Sequence, residues 1–211
     1  IKSDSDTIVS GYIDKAFTVF ERARDLTQQL LTFSKGGSPV KKTADIATLV
    51  KKSASFALSG SNVLCNISVD DDLPLCDFDE NQMGQVIDNI VINAMQSMPG
   101  GGSINISVKN HTVKDHGNPV LKGGKYIGIS ISDTGTGIPP AIMPRIFDPF
   151  FTTKQDGSGL GLATCYSIIS KHGGHIEAQS VQGKGTTFNI LLPVSQNKSL
   201  TETIQKSPKH T

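Results

Sequence analysis

The sequence predicts a mixed α/β domain preceded by one long helix, and three observations carry that prediction. An apolar stripe of helical period runs through Met83, Val86, Ile87, Ile90, Val91, Ala94, Met95 and Met98. Isoleucine and valine alternate with polar residues at 104–108 and again at 127–131, the period of strands with one buried face. Ahead of both, Val9, Ile13, Ala16, Phe20, Ala23, Thr27 and Leu30 step alternately by four and three, the seam of a helix bundle or coiled coil. With 211 residues and 36% hydrophobic content, one domain plus an appendage can bury a core without disulfides.

The first helix is expected over about 5–34. Alone it cannot bury its seam, so it needs a partner helix or a second copy of itself. Gly36-Gly37-Ser38-Pro39 stops it. The chain therefore divides into 1–37, a domain at 38–194 and a polar tail, 195–211, that reads as disordered. Residues 45–57 read as a helix and 62–69 as a strand. The best helix is 79–98, where Asp79 and Gln82 are spaced for a capping box and Pro99-Gly100-Gly101-Gly102 is the stop. The two alternating runs are expected to pair as an antiparallel hairpin across a long loop, 109–125. A helix at about 160–172 and strands at 175–180 and 186–192 complete the domain.

Composition removes several functions. A net charge of +1 supplies no basic field for nucleic acid and no acidic tail. No apolar run approaches the ~18 residues of a membrane span, so no membrane contact is expected of this chain. Cys65, Cys76 and Cys165 lie far apart without metal-like spacing, which suits a reducing compartment. The chain begins at Ile1 without a signal peptide and reads as a piece of something longer. Glycine is the unusual count, 21 of 211, about a tenth against a usual ~7%.

Four clusters can carry chemistry. Gln85, Asn89, Asn93 and Gln96 line one face of the long helix. Taken alone they read as a solvated face. Asparagine, however, is a poor helix former, and its carbonyl can ligate a hard cation such as Mg²⁺ that shares its shell with phosphates. Next, Asp133-Thr134-Gly135-Thr136-Gly137 follows a strand directly. It is either a tight turn or a place where the backbone approaches a flat ligand, with Asp133 offering an acceptor to an exocyclic amine such as adenine N6. Gly157-Ser158-Gly159-Leu160-Gly161 opens the helix at about 160, and a helix N-terminus suits phosphate. Its spacing is neither the dinucleotide fingerprint nor a P-loop. Upstream lies Phe147-Asp-Pro-Phe150-Phe151-Thr-Thr-Lys154, in which Phe147 reads as core. The polar stretch from Phe151 to Gly157 reads as a mobile lid whose Lys154 could meet phosphate. Gly183-Lys-Gly185-Thr186 taken alone is a turn before an edge strand.

In this order the clusters resemble the ATP-binding fold shared by sensor histidine kinases, gyrases, heat-shock chaperones and mismatch-repair ATPases. Asn89-Ile-Val-Ile-Asn93-Ala is similar to its N box, Asp133-Thr-Gly-Thr-Gly to its first glycine box, and Gly157-Ser-Gly-Leu-Gly-Leu to its second. Gly185-Thr186 is similar to the third, and Phe147–Lys154 to the F box that points to histidine kinases. The resemblance spans about 40–193. Residues 21–35 resemble the second helix of the dimerisation and phosphoacceptor hairpin, whose first helix is absent. His111, His116, His172, His175 and His210 all fall in turns, loops or the tail on this reading, and none is followed by Glu or Asp.

The resemblance implies an α/β two-layer sandwich with helices on one face of a mixed sheet. ATP would lie between the N-box helix and the lid. Asn93, with Asn89, would hold Mg²⁺. Asp133 would read adenine, with Gly135, Gly137 and Thr186 nearby. Lys154 and the glycine-loop N–H groups would hold the β- and γ-phosphates, and Phe150, Gly157, Gly159, Leu160 and Gly161 would belong to the nucleotide-binding residues. The implied reaction is γ-phosphoryl transfer to a histidine of the missing helix, for relay to the receiver domain of a response regulator. A homodimer through the N-terminal helix and a cytoplasmic location follow from the same resemblance. An ATP-hydrolysing chaperone-type domain is the alternative, disfavoured because Asn89 stands where those enzymes place a glutamate. A non-catalytic nucleotide-binding or dimerisation module is a third reading.

Overall fold

The computed structural model describes residues 9–10, 12–13, 16–17, 19–20, 38–114, 121–154 and 157–196. Within them, strand β1 (Lys42–Ala44) leads into helix α1 (Ile46–Ala57), then strands β2 (Val63–Val69) and β3 (Cys76–Phe78). Helix α2 (Glu80–Gln96) is followed by strands β4 (Gly102–Val113) and β5 (Gly124–Asp133), a short 3₁₀ turn (Met143–Arg145), and helix α3 (Gly161–Lys171). Strands β6 (His175–Val181) and β7 (Gly185–Pro193) close the domain.

The main sheet has five strands in the order β2-β4-β5-β7-β6. Strand β2 runs parallel to β4 and every other pair is antiparallel, so the sheet is mixed, as expected. Register explains the core. Ile67, Ile106, Ile131, Phe188 and Ala178 form one row across all five strands, and Val69, Val108, Ile129, Ile190 and Ile176 form the next. The helices cover this face, and Met83, Val86, Ile87, Ile90 and Val91 of α2 are wholly buried. One residue along, the rows become Asn66, Asn105, Ser132, Thr187, Gln179 and Ser68, Ser107, Ser130, Asn189, Glu177. This polar outer face is laced by Asn66–Asn105 and Thr187–Ser132 hydrogen bonds of 3.0 and 2.9 Å. The alternation alone therefore separates the two faces.

Both long N-terminal caps are carboxylates. Asp45 accepts from the backbone N–H of Ala47 and Thr48 at the head of α1. Asp79 Oδ1 accepts from those of Asn81 and Gln82, 3.1 Å each, at the head of α2. The reciprocal half of the expected capping box is not made. The Asp79 N–H donates instead to His172 Nε2 at 3.0 Å, and Gln82 Oε1 is buried with no partner among the described residues.

Three expectations change. The β4–β5 hairpin is longer than predicted and its loop shorter, because Val113, Leu121 and Tyr126 pack with Leu191 on the outer face and extend the ladder. Ser195, the first residue assigned to the tail, is tied back onto the domain: its N–H donates to Leu75 O at 2.8 Å and its hydroxyl to Asp77 Oδ2 at 2.9 Å. A two-stranded β1–β3 sheet is present that no periodicity announced. Of the predicted 5–34 helix, residues 9–10, 12–13, 16–17 and 19–20 are helical, with Val9, Tyr12, Ile13, Phe17, Val19 and Phe20 exposed. The rest of that helix, the Gly36-Gly37 stop and residues 197–211 lie outside the described residues. No described helix is long and apolar enough to cross a membrane.

The two faces predict different mutational costs. Ile106→Ala, at the centre of the buried row, should cost about 2–5 kcal/mol in chemical denaturation. Ser107→Ala on the outer face should stay within about 0.5 kcal/mol.

Candidate functional site

A cleft of about 580 Å³ opens between α2, the turn after β5, the start of β7 and the segment entering α3. Its back wall is Asp133, the last residue of β5 and 7% exposed. Asp133 Oδ1 accepts from the Gly135 N–H at 2.8 Å, the Thr186 N–H at 3.3 Å and the Ser97 hydroxyl at 3.4 Å. Among the described residues Oδ2 has no such partner, and Asp133 lines the cleft. Burial pushes its carboxyl above the usual carboxylate range, against the pull of those three donors. One oxygen is therefore structural and the other is available to a ligand.

The turn that follows needs its glycines. Gly137 has φ +67°, and a Cβ there would strike the Val181 carbonyl. The turn is pinned to the far edge of the sheet, since the Ile138 N–H donates to Ser180 Oγ at 2.8 Å and the Gly183 N–H to Thr136 O at 2.7 Å. Ser180 Oγ also lies 2.9 Å from Thr186 Oγ1, which ties the third glycine cluster to the first. Ile138, Pro139, Ile142 and Ile146 then form an apolar wall beside Asp133. A flat apolar ring with one polar edge fits such a wall.

At the other end of the cleft the amides of α2 face the segment before α3. Asn89 Nδ2 donates to Gly161 O at 3.3 Å, joining the two helices. Lys154 Nζ donates to Asn93 Oδ1 at 2.8 Å and to Gln96 Oε1 at 2.5 Å. Enclosure of this ammonium lowers its pKa from the ordinary lysine value. The two carbonyl oxygens thus already hold one cation. Among the described residues no group of three or more His, Cys, Asp or Glu side chains could hold a metal. Buried Cys165, beneath Asn89, is pushed up to about 12 and has no nucleophilic use.

The predicted residues sort clearly. Asn89, Asn93, Lys154, Asp133, Gly137, Gly157, Gly159, Gly161 and Thr186 all line the cleft. Gly135, Leu160 and Phe150 are not among its lining residues. Gly135 packs behind Asp133, where a Cβ would collide with the Ser97 hydroxyl. Leu160 is fully buried and begins α3, accepting from the Thr164 N–H. Phe150 is 62% exposed at φ +64°, and a Cβ on Gly159 would strike its backbone. Its neighbour Phe151 lines the cleft, with the Arg145 guanidinium 4.4 Å from its ring centre. Gln85 faces a separate groove with Lys52, Glu80 and Asp88. Phe147 packs on Tyr166 and Phe188, as a core aromatic should.

Sequence reasoning missed Ser97, Thr136 and the Ile138–Ile146 wall. The signal for the wall was present in Ile142 and Ile146, four apart beyond a glycine turn. The histidines also differ: His111 lies within β4, His175 begins β6 and His172 ends α3. None of these three lines the cleft, while His116 and His210 lie outside the described residues.

Comparison with known proteins agrees with this geometry. The profile of the histidine kinase-, DNA gyrase B- and HSP90-like ATPase family matches residues 78–196. The chain is 37% identical to the sensor kinase CckA of Brucella abortus (strain 2308), over 82% of this chain and 19% of that protein. It is 41% identical to sporulation kinase E of Bacillus subtilis (strain 168), over 65% of this chain and 17% of that one. The chain thus spans about a fifth of the length of these two curated relatives. Among solved structures, the mycobacterial sensor histidine kinase MprB superposes with a TM-score of 0.60 at 26% identity, covering 74% of this chain and 98% of that one. Full-length ShkA in complex with AMPPNP shares the fold, with a TM-score of 0.70 at 23% identity over 88% of this chain and 38% of that one. A carboxylate-backed cleft, an asparagine-lined helix and glycine turns in this order, on this sheet, place the chain in the histidine kinase-, DNA gyrase B- and HSP90-like ATPase family.

Proposed function

We propose that residues 38–194 are the ATP-binding catalytic part of a sensor histidine kinase. The observation that carries the reading is Asp133, with one oxygen saturated by protein donors and the other open beside an apolar wall. That oxygen is an acceptor for the adenine amine, and Ile138, Ile142 and Ile146 would cover the ring. The Asn93 and Gln96 carbonyls fit a cation, because they already hold the Lys154 ammonium. Asn93 and Asn89 would ligate Mg²⁺, and Lys154, once displaced, would pair with phosphate beside the Gly157–Gly161 backbone.

Bound ATP supplies the γ-phosphoryl group for in-line transfer to a histidine imidazole. The chain's own residues would bind the base, hold the phosphates in line and exclude water. Asn89 gives its Nδ2 to Gly161 O, which leaves Oδ1 for a cation, and it has no basic atom, so water is not activated there and the chaperone-type reading is disfavoured. The acceptor would lie on a helix preceding residues 1–37, which we read as the second helix of a homodimerisation hairpin. A response-regulator receiver domain would take the phosphoryl group onward, in the cytoplasm.

Three outcomes test this reading. Asn93→Ala should reduce Mg²⁺-dependent ATP binding by tenfold or more, about 1.4 kcal/mol, with unchanged melting. Wild-type affinity by calorimetry would sink the metal assignment. ATP should outcompete GTP by at least ~10-fold, because guanine presents an acceptor to the Asp133 carboxylate. Asp133→Asn should erase that preference in competition titrations. It should melt no lower than the wild type at neutral pH. The folded carboxyl is raised above its unfolded value, so ionisation as pH rises costs native stability, and the amide does not ionise. Finally, radiolabelled ATP should bind residues 1–211 without labelling them. A longer chain that includes the preceding helix should take up label that is lost in acid and kept in base. Rapid acid-stable labelling of residues 1–211 alone would refute the kinase reading.

A further inference from the structure

We propose that His172, as the neutral Nδ1–H tautomer, is a positioning residue that locks the end of α3 to the cap of α2 and so sets the geometry of the nucleotide cleft. The inference rests on the nucleotide reading of that cleft. His172 is 2% exposed and lies outside the cleft lining. Both ring nitrogens are engaged. Nδ1 lies 2.8 Å from the Ile168 carbonyl, which only an N–H can satisfy. Nε2 lies 3.0 Å from the Asp79 backbone nitrogen, whose N–H needs an acceptor. One protonation state meets both demands. An added proton on Nε2 would set two donors against each other in a buried place.

The bond replaces a local one. Gln82 stands where a capping box would return its side chain to the Asp79 N–H, yet its Oε1 is buried with no partner among the described residues. A histidine 93 residues away takes that donor. Asp79 is also where the chain leaving residues 1–37 is fastened, because its Oδ2 accepts from the Val40 N–H at 2.9 Å. Among the described residues, polar contacts join α2 and α3 at Asp79–His172, at one end of α3, and at Asn89–Gly161, at its other end, with a Cys165 Sγ–Val86 O contact of 3.8 Å between them. Contacts at both ends of α3 fix its tilt on α2. Releasing the first lets α3 tilt about the Asn89–Gly161 contact, which moves Asn93 relative to the Gly157–Gly161 turn.

The lock is sensitive to protons. Burial holds the His172 pKa below the ordinary histidine value of 6.5. The Ile168 carbonyl and the Asp79 carboxylate act the other way, and Lys41 adds to the lowering. Because the folded value is depressed, the contribution is complete above pH 6.5 and is lost as pH falls through the folded value.

The test combines ring NMR with binding of a non-hydrolysable ATP analogue and Mg²⁺ to the 211-residue chain. In ¹⁵N spectra of the wild type, His172 should be protonated at Nδ1 only at neutral pH and should titrate below its ordinary value. Across the pH range in which His172 titrates in those spectra, the wild type should lose about threefold more affinity than His172→Gln, whose carbonyl can accept from Asp79 but does not titrate. His172→Leu should bind more weakly than His172→Gln at pH 8. An Nε2–H tautomer, or superimposable pH profiles of wild type and His172→Gln, overturns the proposal without touching the nucleotide reading. Absence of binding by every variant at every pH overturns the nucleotide reading and the coupling with it, whatever tautomer the ring adopts.

Discussion

A single buried carboxylate oxygen organises this domain. Asp133 Oδ1 gathers the end of β5 with the turn after it through Gly135, the start of β7 through Thr186, and the end of α2 through Ser97. The β5–β7 ladder and a Thr136 N–H to Ser97 O bond already bring these segments near one another, and Asp133 ties all of them at one atom. Burying the charge costs free energy, which the raised pKa reports, and three donors offset part of it. The cost is retained because the second oxygen is left open to the cleft. On the proposed reading, stability and recognition are divided between two atoms of one group.

The same division runs through α2. One stripe, Met83 to Ala94, is core, and the other presents Asn89, Asn93 and Gln96 to the cleft or its edge. The helix can serve both because its N-terminal end is fixed from outside by Asp79 and its partners. The side chains that face the cleft therefore take their places from packing on the opposite side of the same helix. Polar rows on the outer sheet face follow the same logic, since alternation keeps solvent chemistry away from the buried rows.

Much of this was legible in the sequence. The long α2 stripe and the alternating isoleucines of β4 and β5 are strong periodic signals, and they located the core. The order of Asn89-Asn93, Asp133-Gly137, Gly157-Gly161 and Gly185-Thr186 located the cleft. Short elements escaped because three residues of β1 or β3 carry no period. The Ile142–Ile146 wall escaped because one pair four apart on either side of a three-residue 3₁₀ turn is too short to register as a helical stripe. Partners chosen across the fold were also hidden. Ser97 under Gly135, and His172 in place of Gln82 at Asp79, depend on which helices meet, and no local pattern encodes that.

An ammonium tethered beside its own ligands competes at a fixed effective concentration, whatever the solution contains. On the proposed reading, Lys154 is such a competitor at Asn93 and Gln96. A bare divalent ion would have to displace it unaided and leave it stranded. An ion arriving on a polyphosphate brings anionic oxygens on which the released ammonium can settle. At Asn93 the exchange is then cation for cation, and Gln96, which is exposed, is released to solvent. On that reading the cleft would distinguish a metal–nucleotide pair from free metal without devoting a residue to that discrimination alone.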